Sequence, residues 1–292
     1  MEETRTLRNN YYLGHYGKVI DEVKGFSSES PAELAFYYRA LLETNPALVF
    51  KNITDRSPTA LQAIKLLGTY RTAMEDNKEL VFETLNEWLS DEILGNDPTL
   101  NLIASQIYFE EKNFKDALRL VINGGENLEM HGMCVQIYLK MDRVDLAAKA
   151  CAVMADIDDD DVLTQLCTAW LNITQGGSKI TEASFLLQEL VDKFGPSIPV
   201  LVSAAVCQMH LANFADSNNY LKQARALALE TNSKVSPDTL INYIVALNLN
   251  KRAPEIINKI TGELSDSYPN HPWLQTQKEM ESLFDTHAAK YI

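Results

Sequence analysis

Two internal repeats constrain the fold of this 292-residue chain more than any other feature of its sequence. The segment that begins at Gln106 aligns with the segment that begins at Gln136, so that Tyr108 matches Tyr138 and Ala117 matches Ala147. A second alignment pairs Ile180, Ala183, Leu187 and Leu190 with Phe214, Ser217, Leu221 and Ala224. Periods of about 30 to 34 residues are typical of helical units that bury their apolar faces only against neighbouring units.

The spacing resembles that of tetratricopeptide repeats, in which small residues let two antiparallel helices approach closely. It predicts an all-α, tetratricopeptide-like helical-repeat solenoid, a right-handed superhelix that forms a single domain over residues 1–292. The predicted pairs, about eight, lie roughly at residues 4–25, 32–54, 58–91, 98–122, 126–156, 159–194, 197–230 and 237–268. Prolines near predicted helix starts support these bounds, because a proline there forfeits no helical hydrogen bond. They are Pro31, Pro58, Pro98, Pro196 and Pro237.

One more helix is predicted at the C-terminus, over residues 271–292. Apolar side chains recur there near one helix face. They are Trp273, Met280, Phe284 and Tyr291, widened by Leu274, Leu283 and Ala288. We therefore expect a capping helix that seals the open end of the solenoid.

The charge balance excludes several classes of partner. Lys and Arg number 26 against 40 Asp and Glu, a formal net charge of −14, and no local basic stripe offsets it. Such a chain repels nucleic acid and anionic membrane surfaces. No apolar run approaches the ~18 residues of a membrane span, and the N-terminus does not resemble a signal peptide. We expect a cytoplasmic protein whose cysteines, Cys134, Cys151, Cys167 and Cys207, are reduced and buried.

A run of aspartates over residues 156–161 has the alternate spacing that begins an EF-hand calcium loop. The rest of that loop is absent, because Asp161 stands where a glycine should turn and Cys167 where a glutamate should close the shell. We predict instead an acidic turn whose carboxylates cap a helix beginning near Val162.

Motifs for catalysis and cofactor binding are also missing. The segment Gly176-Gly-Ser-Lys179 follows a predicted helix and lacks the P-loop pattern, so it is interpreted as a turn between helices. The five histidines show no metal-ligand spacing, and no serine lies in a nucleophile elbow. We expect a protein that is not an enzyme, with no cofactor and no metal.

The repeat register instead predicts a partner-binding wall on the concave face, lined by one helix of each pair. The wall residues are Gln106, Phe109, Gln136, Leu139, Trp170, Ile173, Val206 and Met209, followed in the pair at residues 237–268 by Ile244 and Leu247. An apolar wall of this kind suits an extended or hairpin segment that binds through buried side chains. The alternative is that a tight superhelix buries these residues against its own helices, and the sequence leaves both interpretations open.

Several motifs resemble the epsilon subunit family of coatomer, the COPI vesicle coat. The likeness is strongest from Gln136 to Lys193, which contains Leu163-Thr-Gln-Leu-Cys-Thr-Ala-Trp-Leu-Asn172 and Gly176-Gly-Ser-Lys-Ile-Thr-Glu-Ala183. Further similar motifs lie near both ends, at Leu7–Tyr16, Leu61–Leu67, Pro237–Asn242 and His271–Trp273. The chain departs from the family at Leu201-Val-Ser-Ala204.

The resemblance implies a non-enzymatic coat subunit that binds the C-terminal region of the coatomer alpha subunit. It further implies support of COPI coat assembly in retrograde Golgi-to-endoplasmic-reticulum transport. Contact with the other subunits and with Golgi and vesicle membranes would be indirect. The alternative is a chaperone-linked tetratricopeptide adaptor. Such an adaptor would carry basic residues in its groove, because it binds acidic peptide tails. A prenyltransferase-like helical-repeat enzyme would show repeated Pro-x-Asn-Tyr/Trp motifs, which are absent.

Overall fold

A computed structural model of the chain describes residues 2–25, 30–73, 75–231 and 233–290. It is 80% helical and contains no strand among those residues, which confirms the predicted fold class. The helices are α1 (Glu2–Tyr12), α2 (Tyr16–Gly25), α3 (Pro31–Thr44), α4 (Pro46–Asn52), α5 (Thr59–Thr72), α6 (Glu75–Ser90), α7 (Pro98–Glu110), α8 (Phe114–Val121), α9 (Leu128–Lys140), α10 (Val144–Asp158), α11 (Val162–Gln175), α12 (Lys179–Phe194), α13 (Ile198–His210), α14 (Phe214–Glu230), α15 (Pro237–Leu249), α16 (Pro254–Ser267) and α17 (Pro272–Ala288).

The helices follow the predicted pairing, with eight consecutive pairs and a final helix within the described residues. Each of the predicted prolines except Pro196 lies at or next to a helix start. Pro196 precedes the N-cap of α13 by one residue. The period of the apolar pattern therefore predicted the helices well, because each pair must bury the same faces against the next pair.

Turns within four of the pairs share one backbone geometry that the residue types do not reveal. A residue with positive φ occupies the turn in each of them, at Lys112, Asp142, Ala212 and Lys251. The next residue donates its backbone N–H back to the helix, as from Asn113 to the Tyr108 carbonyl at 2.8 Å. This is the Schellman closure of a helix C-terminus, which most often uses glycine. Here it is built from residues with side chains.

The acidic turn and the glycine pair behave as predicted. Asp161 is the N-cap of α11, and its carboxylate accepts the backbone N–H of Leu163 at 2.9 Å. Gly176 and Gly177 follow α11 with φ of 76° and 59°, values that favour glycine because a side chain there is strained. Together these residues set where α11 begins and ends.

Contacts divide the chain into two compact units, residues 1–195 and residues 196–292. In the first, a large apolar core from α3 to α7 is joined by smaller clusters around α1–α3 and α8–α11. In the second, a core forms among α13–α17. The expectation of a single solenoid over residues 1–292 remains a prediction.

All four cysteines are buried free thiols, as expected. Burial raises the pKa of Cys134 to about 11, and does the same for Cys151 and Cys207. These thiols are therefore inert core side chains at neutral pH. Among the described residues, none of the helices combines the length and the apolar character that crossing a membrane requires.

The terminal helix is present as α17, but it does not bury the predicted apolar stripe. Its first turn is anchored by buried Leu274 and by Trp273, both of which pack on the core of the second unit. Residues 275–287 are all exposed. Tyr291, the last member of the stripe, lies outside the described residues. The prediction that this stripe seals the end of the solenoid is therefore wrong for residues 275–287, because the core of the second unit ends at the first turn of α17.

Candidate functional site

The predicted wall residues share one intermediate degree of burial. Gln106 and Phe109 on α7 are neither core nor fully exposed, and the same holds for the matching residues of the following A helices. These are Gln136 and Leu139 on α9, Trp170 and Ile173 on α11, and Val206 and Met209 on α13. These equivalent repeat positions on α7, α9, α11 and α13 therefore have equivalent burial, and their part in partner binding stays a prediction.

Ile244 and Leu247 were wrongly placed on the wall. Both are at most 3% exposed, because α15 carries them into the core of the second unit against residues of α14 and α16. Their register was the least secure of the sequence alignments, and the longer connection before α15 makes the repeat irregular there.

A cavity of about 310 Å³ opens in the first unit beside the wall. Four predicted wall residues line it, namely Gln106, Phe109, Gln136 and Trp170. The other lining residues are Tyr11, Tyr12, Arg39, Leu102, Glu110, Glu129, Gly132, Met133 and Leu163. Leu139 and Ile173 are not among them, and Val206 and Met209 belong to the second unit. The cavity wall is thus mainly apolar and aromatic, with two neutral amides and three charged side chains, those of Arg39, Glu110 and Glu129.

Three side-chain caps fix the starts of the helices that form this wall. Asp97 caps α7 by accepting the backbone N–H of Thr99 at 2.8 Å. Asn127 caps α9 by accepting that of Glu129 at 2.9 Å, and Asp161 caps α11. A short polar N-cap satisfies N–H groups that no intrahelical carbonyl can reach. The three caps therefore fix where helices α7, α9 and α11 begin.

The N-terminal helix closes one side of the cavity, which the sequence did not predict. Tyr12 on α1 donates its hydroxyl to Glu129 Oε1 at 2.6 Å, across 117 positions of the chain. Arg39 Nη1 on α3 donates to the same oxygen at 2.7 Å, and its Nη2 donates to the Tyr12 hydroxyl at 3.2 Å. The Arg39 guanidinium also lies over the Tyr11 ring, 4.3 Å from its centre. Helices α1, α3 and α9 are therefore joined at one carboxylate.

Burial and the charge of Glu129 together set the protonation of this junction. Arg39 is 6% exposed. Burial alone would lower the pKa of Arg39, but the carboxylate of Glu129 and the nearby phenols hold that pKa well above its usual value. Burial, reinforced by Glu129, raises the pKa of Tyr12 well above 10.0. Tyr12 is thus a neutral donor and Arg39 a cation, which leaves the Glu129 carboxylate compensated.

A second set of ion pairs ties α1 to the acidic turn before α11. Arg5 Nη2 lies 3.0 Å from Asp158 Oδ2, and Arg8 pairs closely with Asp161. The Asp161 side chain is fully buried, whereas Arg8 is partly exposed. The aspartate that caps α11 therefore also anchors the N-terminal helix.

The carboxylates that line the cavity are already neutralised. Glu129 is paired with Arg39, and Glu110 with Arg71 at 2.8 Å. The amides of Gln106 and Gln136 remain uncharged groups that can both donate and accept hydrogen bonds. In the described part of the chain, no three His, Cys, Asp or Glu side chains converge as a metal ion would require. This chemistry suits an extended, uncharged polypeptide segment with apolar side chains.

Sequence reasoning missed Tyr11, Tyr12, Arg39 and Glu129 because the repeat pattern does not include them. They lie on three separate repeats, and only long-range packing brings them together. The available signal was weak: the aromatic run Tyr11-Tyr12 on a short N-terminal helix.

Comparisons with known proteins agree on one family. The model of the family described as "Coatomer epsilon subunit" matches residues 2–292. Coatomer subunit epsilon-1 of Arabidopsis thaliana is 36% identical over 284 residues, which cover 96% of this chain and 94% of that protein. Coatomer subunit epsilon of Dictyostelium discoideum is 30% identical over 300 residues, which cover 97% of each chain.

Solved structures support the fold. A tetratricopeptide repeat protein from Parabacteroides merdae superposes with a TM-score of 0.60 at 13% identity, over 89% of this chain and 96% of that one. A chain of the APC/C Cut9–Hcn1 heterotetramer superposes with a TM-score of 0.65 at 10% identity, over 93% of this chain and 54% of that one. At such identities these two likenesses bear on the helical-repeat fold alone.

Proposed function

Because the chain belongs to the coatomer epsilon subunit family, and is therefore a structural component of the coatomer coat and not an enzyme, we propose that it holds the C-terminal region of the coatomer alpha subunit in its cavity. The partner residues in the cavity are Gln106, Phe109, Gln136 and Trp170, and Leu139 and Ile173 extend the proposed contact on the same helices outside the cavity. Val206 and Met209, in the second unit, stay predicted partner residues. Through this contact the chain supports COPI coat assembly in retrograde transport from the Golgi to the endoplasmic reticulum. It lies in the cytoplasm and reaches Golgi and vesicle membranes only through other subunits.

One observation carries the proposal: equivalent repeat positions on α7, α9 and α11 line a single cavity with an amide or an aromatic side chain. Such a wall gives affinity through buried aromatic area and fixes register through amide hydrogen bonds to a partner backbone. The chaperone-linked adaptor is disfavoured by the same wall. Arg39, the basic residue among the described lining, is already paired with Glu129, so an acidic tail finds no free cation there.

Trp170 gives the main test of this proposal. We expect Trp170→Ala to weaken binding of the alpha C-terminal region by about 2 kcal/mol, roughly thirtyfold in affinity, because large aromatics at the centre of an interface dominate its energetics. Titration calorimetry with the recombinant alpha region measures the affinity. Binding of the unmodified chain is expected to persist at ~0.5 M NaCl, since apolar burial is not screened by salt.

Trp88→Ala is the matched control. Trp88 is also half-buried and packs on a core, that of α3–α7, as Trp170 packs on the core of α9–α11, but Trp88 does not line the cavity. Trp88→Ala is expected to lower the melting temperature of the chain without changing its affinity for the alpha region. If Trp170→Ala is folded and binds the alpha region as tightly as the unmodified chain does, the cavity is not the binding site.

A further inference from the structure

Ion pairs join the start of the chain to the helices around α11, on the side of the cavity where α1 lies. Arg5 on α1 pairs with Asp158 at 3.0 Å, across 153 positions of the chain. Arg8 on the same helix pairs closely with Asp161. We call the ion pairs of Arg5 and Arg8 with these two aspartates the seam. Within the first unit, the seam joins the first helix pair to the fifth and sixth pairs.

The seam differs in chemistry from the contacts between α1 and its neighbours in sequence. Leu7 of α1 is 1% exposed and packs in an apolar cluster with side chains of α2 and α3. Across the seam the contacts are largely polar. Besides the ion pairs, Lys18 Nζ on α2 donates to the Phe194 carbonyl at 3.4 Å, and Tyr12 packs on the α9–α11 cluster. Helix α1 is therefore fixed to α2 and α3 by apolar packing and to the start of α11 mainly by charge.

A polar seam opens at a lower cost than an apolar one. When an ion pair separates into water, hydration of both charges offsets the lost attraction, whereas exposed apolar area has no such compensation. Glu129 keeps its cation when α1 moves away, because its partner Arg39 lies on α3. Movement of α1 and α2 away from α11 therefore leaves no charge both buried and unpaired at these sites.

The size of the cavity requires that one of its walls moves. Its volume of about 310 Å³ lies at the low end of the range for pockets that hold small molecules, roughly 300–1,000 Å³. A polypeptide segment with several side chains needs more room than a small molecule does. Tyr11 and Tyr12 of α1 form part of the lining. Helix α1 is therefore a lining helix that can move, because charge rather than a shared core holds it to α11.

We propose that α1 is a gate: the seam opens to admit the alpha segment to the cavity and closes again beside it. This inference rests on the proposed function. The pair α1–α2 moves together and turns on its apolar contact with α3. Because the segment passes the same gate when it enters and when it leaves, a weaker seam speeds association and dissociation alike and leaves the affinity unchanged.

A covalent bridge across the seam tests the gate. The double variant Arg5→Cys/Asp158→Cys places two thiols where the outer ion pair was, and a short bismaleimide joins them. The native cysteines are buried, and burial raises the pKa of Cys134 to about 11, so the reagent is expected to join the new thiols selectively. Surface plasmon resonance with the recombinant alpha C-terminal region measures both rate constants, before and after the bridge is formed.

The bridge is expected to slow association by about tenfold or more when it is formed in the free chain, because binding then lacks its conformational step. When it is formed in the assembled complex, it is expected to slow dissociation by a similar factor. Association of the bridged chain at the rate of the unbridged variant would overturn the gate and leave the proposed function intact. An unmodified chain that does not bind the alpha region would overturn both.

A second bridge on the same helix is the matched control. Asn10 Nδ2 on α1 donates to Glu22 Oε2 on α2 at 3.4 Å, so Asn10→Cys/Glu22→Cys can be joined by the same reagent without crossing the seam. This bridge is expected to leave both rate constants unchanged, because α1 and α2 move as one body. Equal slowing by the two bridges would contradict the seam as the place where the chain opens.

Arg5→Gln tests the gate without a crosslink. It removes the outer ion pair, and it is expected to raise both the association and the dissociation rate constants about threefold, the effect of one partly exposed pair. Arg143→Gln is the control, because Arg143 pairs with Asp145 on its own helix, far from any seam contact in sequence, and it is expected to change neither rate constant. A lower affinity of Arg5→Gln with an unchanged association rate constant, or no change in either, would overturn the gate.

Discussion

Arg39→Met is expected to lower the free energy of unfolding by about 3–5 kcal/mol, because it removes the cation that pairs with the mostly buried Glu129 carboxylate. The change also removes the ring contact with Tyr11 and the hydrogen bond to Tyr12. Urea unfolding followed by circular dichroism measures the loss. Methionine retains much of the apolar stem, so the loss reports mainly on the charge and its hydrogen bonds.

Arg143→Met is the control for this substitution. Arg143 pairs with Asp145 at 2.9 Å, but both side chains are more than half exposed, so solvent screens the pair. The same chemical change is expected to leave the unfolding midpoint unaltered there. The double variant Arg39→Met/Glu129→Gln is expected to regain part of the lost stability, because no uncompensated charge remains. If Arg39→Met lowers the free energy of unfolding no more than Arg143→Met does, the junction of α1, α3 and α9 does not stabilise the fold.

The same junction implies a dependence on alkaline pH. Burial raises the pKa of Tyr11 and of Tyr12 above the ordinary value of 10.0. Above that pH the unfolded chain releases phenolic protons that the folded chain retains. The stability that these two phenols contribute is therefore fully present below about pH 10. It is lost as the pH rises toward the pKa values of Tyr11 and Tyr12 in the folded chain.

Asp161→Ala is expected to lower the free energy of unfolding by about 2–4 kcal/mol, because one fully buried carboxylate both caps α11 and pairs with arginines of α1. It caps α11 through the Leu163 N–H, and such a cap contributes roughly 0.5–2 kcal/mol. It also neutralises Arg8 on α1, and loss of a buried partner adds to that cost. Thermal and urea unfolding of the variant measure the total loss of stability from the cap and the ion pair.

Two further variants separate the roles of Asp161. Asparagine caps helices as well as aspartate does, so Asp161→Asn is expected to retain the cap and to lose the ion pair. Its stability is expected to lie between that of Asp161→Ala and that of the unmodified chain. Asp160→Ala removes an exposed neighbouring carboxylate and is expected to be neutral. Equal losses for Asp160→Ala and Asp161→Ala would contradict the assignment of cap and anchor to Asp161.

Local features of the fold were predictable because their causes are local. The helix pairs follow from apolar periodicity, and the prolines fix several of the helix starts. Asp161 was predicted as a cap because an aspartate run precedes an apolar helix. Half-burial of Gln106 and Phe109 follows from their repeat positions, since equivalent positions pack alike in stacked units.

Long-range features were not predictable from the same patterns. The pairing of Tyr12 with Glu129 joins residues on separate repeats, and periodicity carries no information about which repeats meet. The left-handed turn at Ala212 is imposed by the packing of α13 on α14, against the intrinsic preference of alanine. The apolar stripe of α17 was expected to be buried, because periodicity shows which side chains share a helix face and not whether another element covers that face.

Site-specific photocrosslinking shows whether the cavity of the first unit holds the alpha C-terminal region. Photoreactive benzoylphenylalanine would replace Gln136, which lines the cavity, or Lys149, which is exposed on α10 and does not line it. The account predicts that irradiation of the complex joins the alpha region covalently to the chain from position 136 and not from position 149. A complex that forms normally but crosslinks only from position 149 would contradict it.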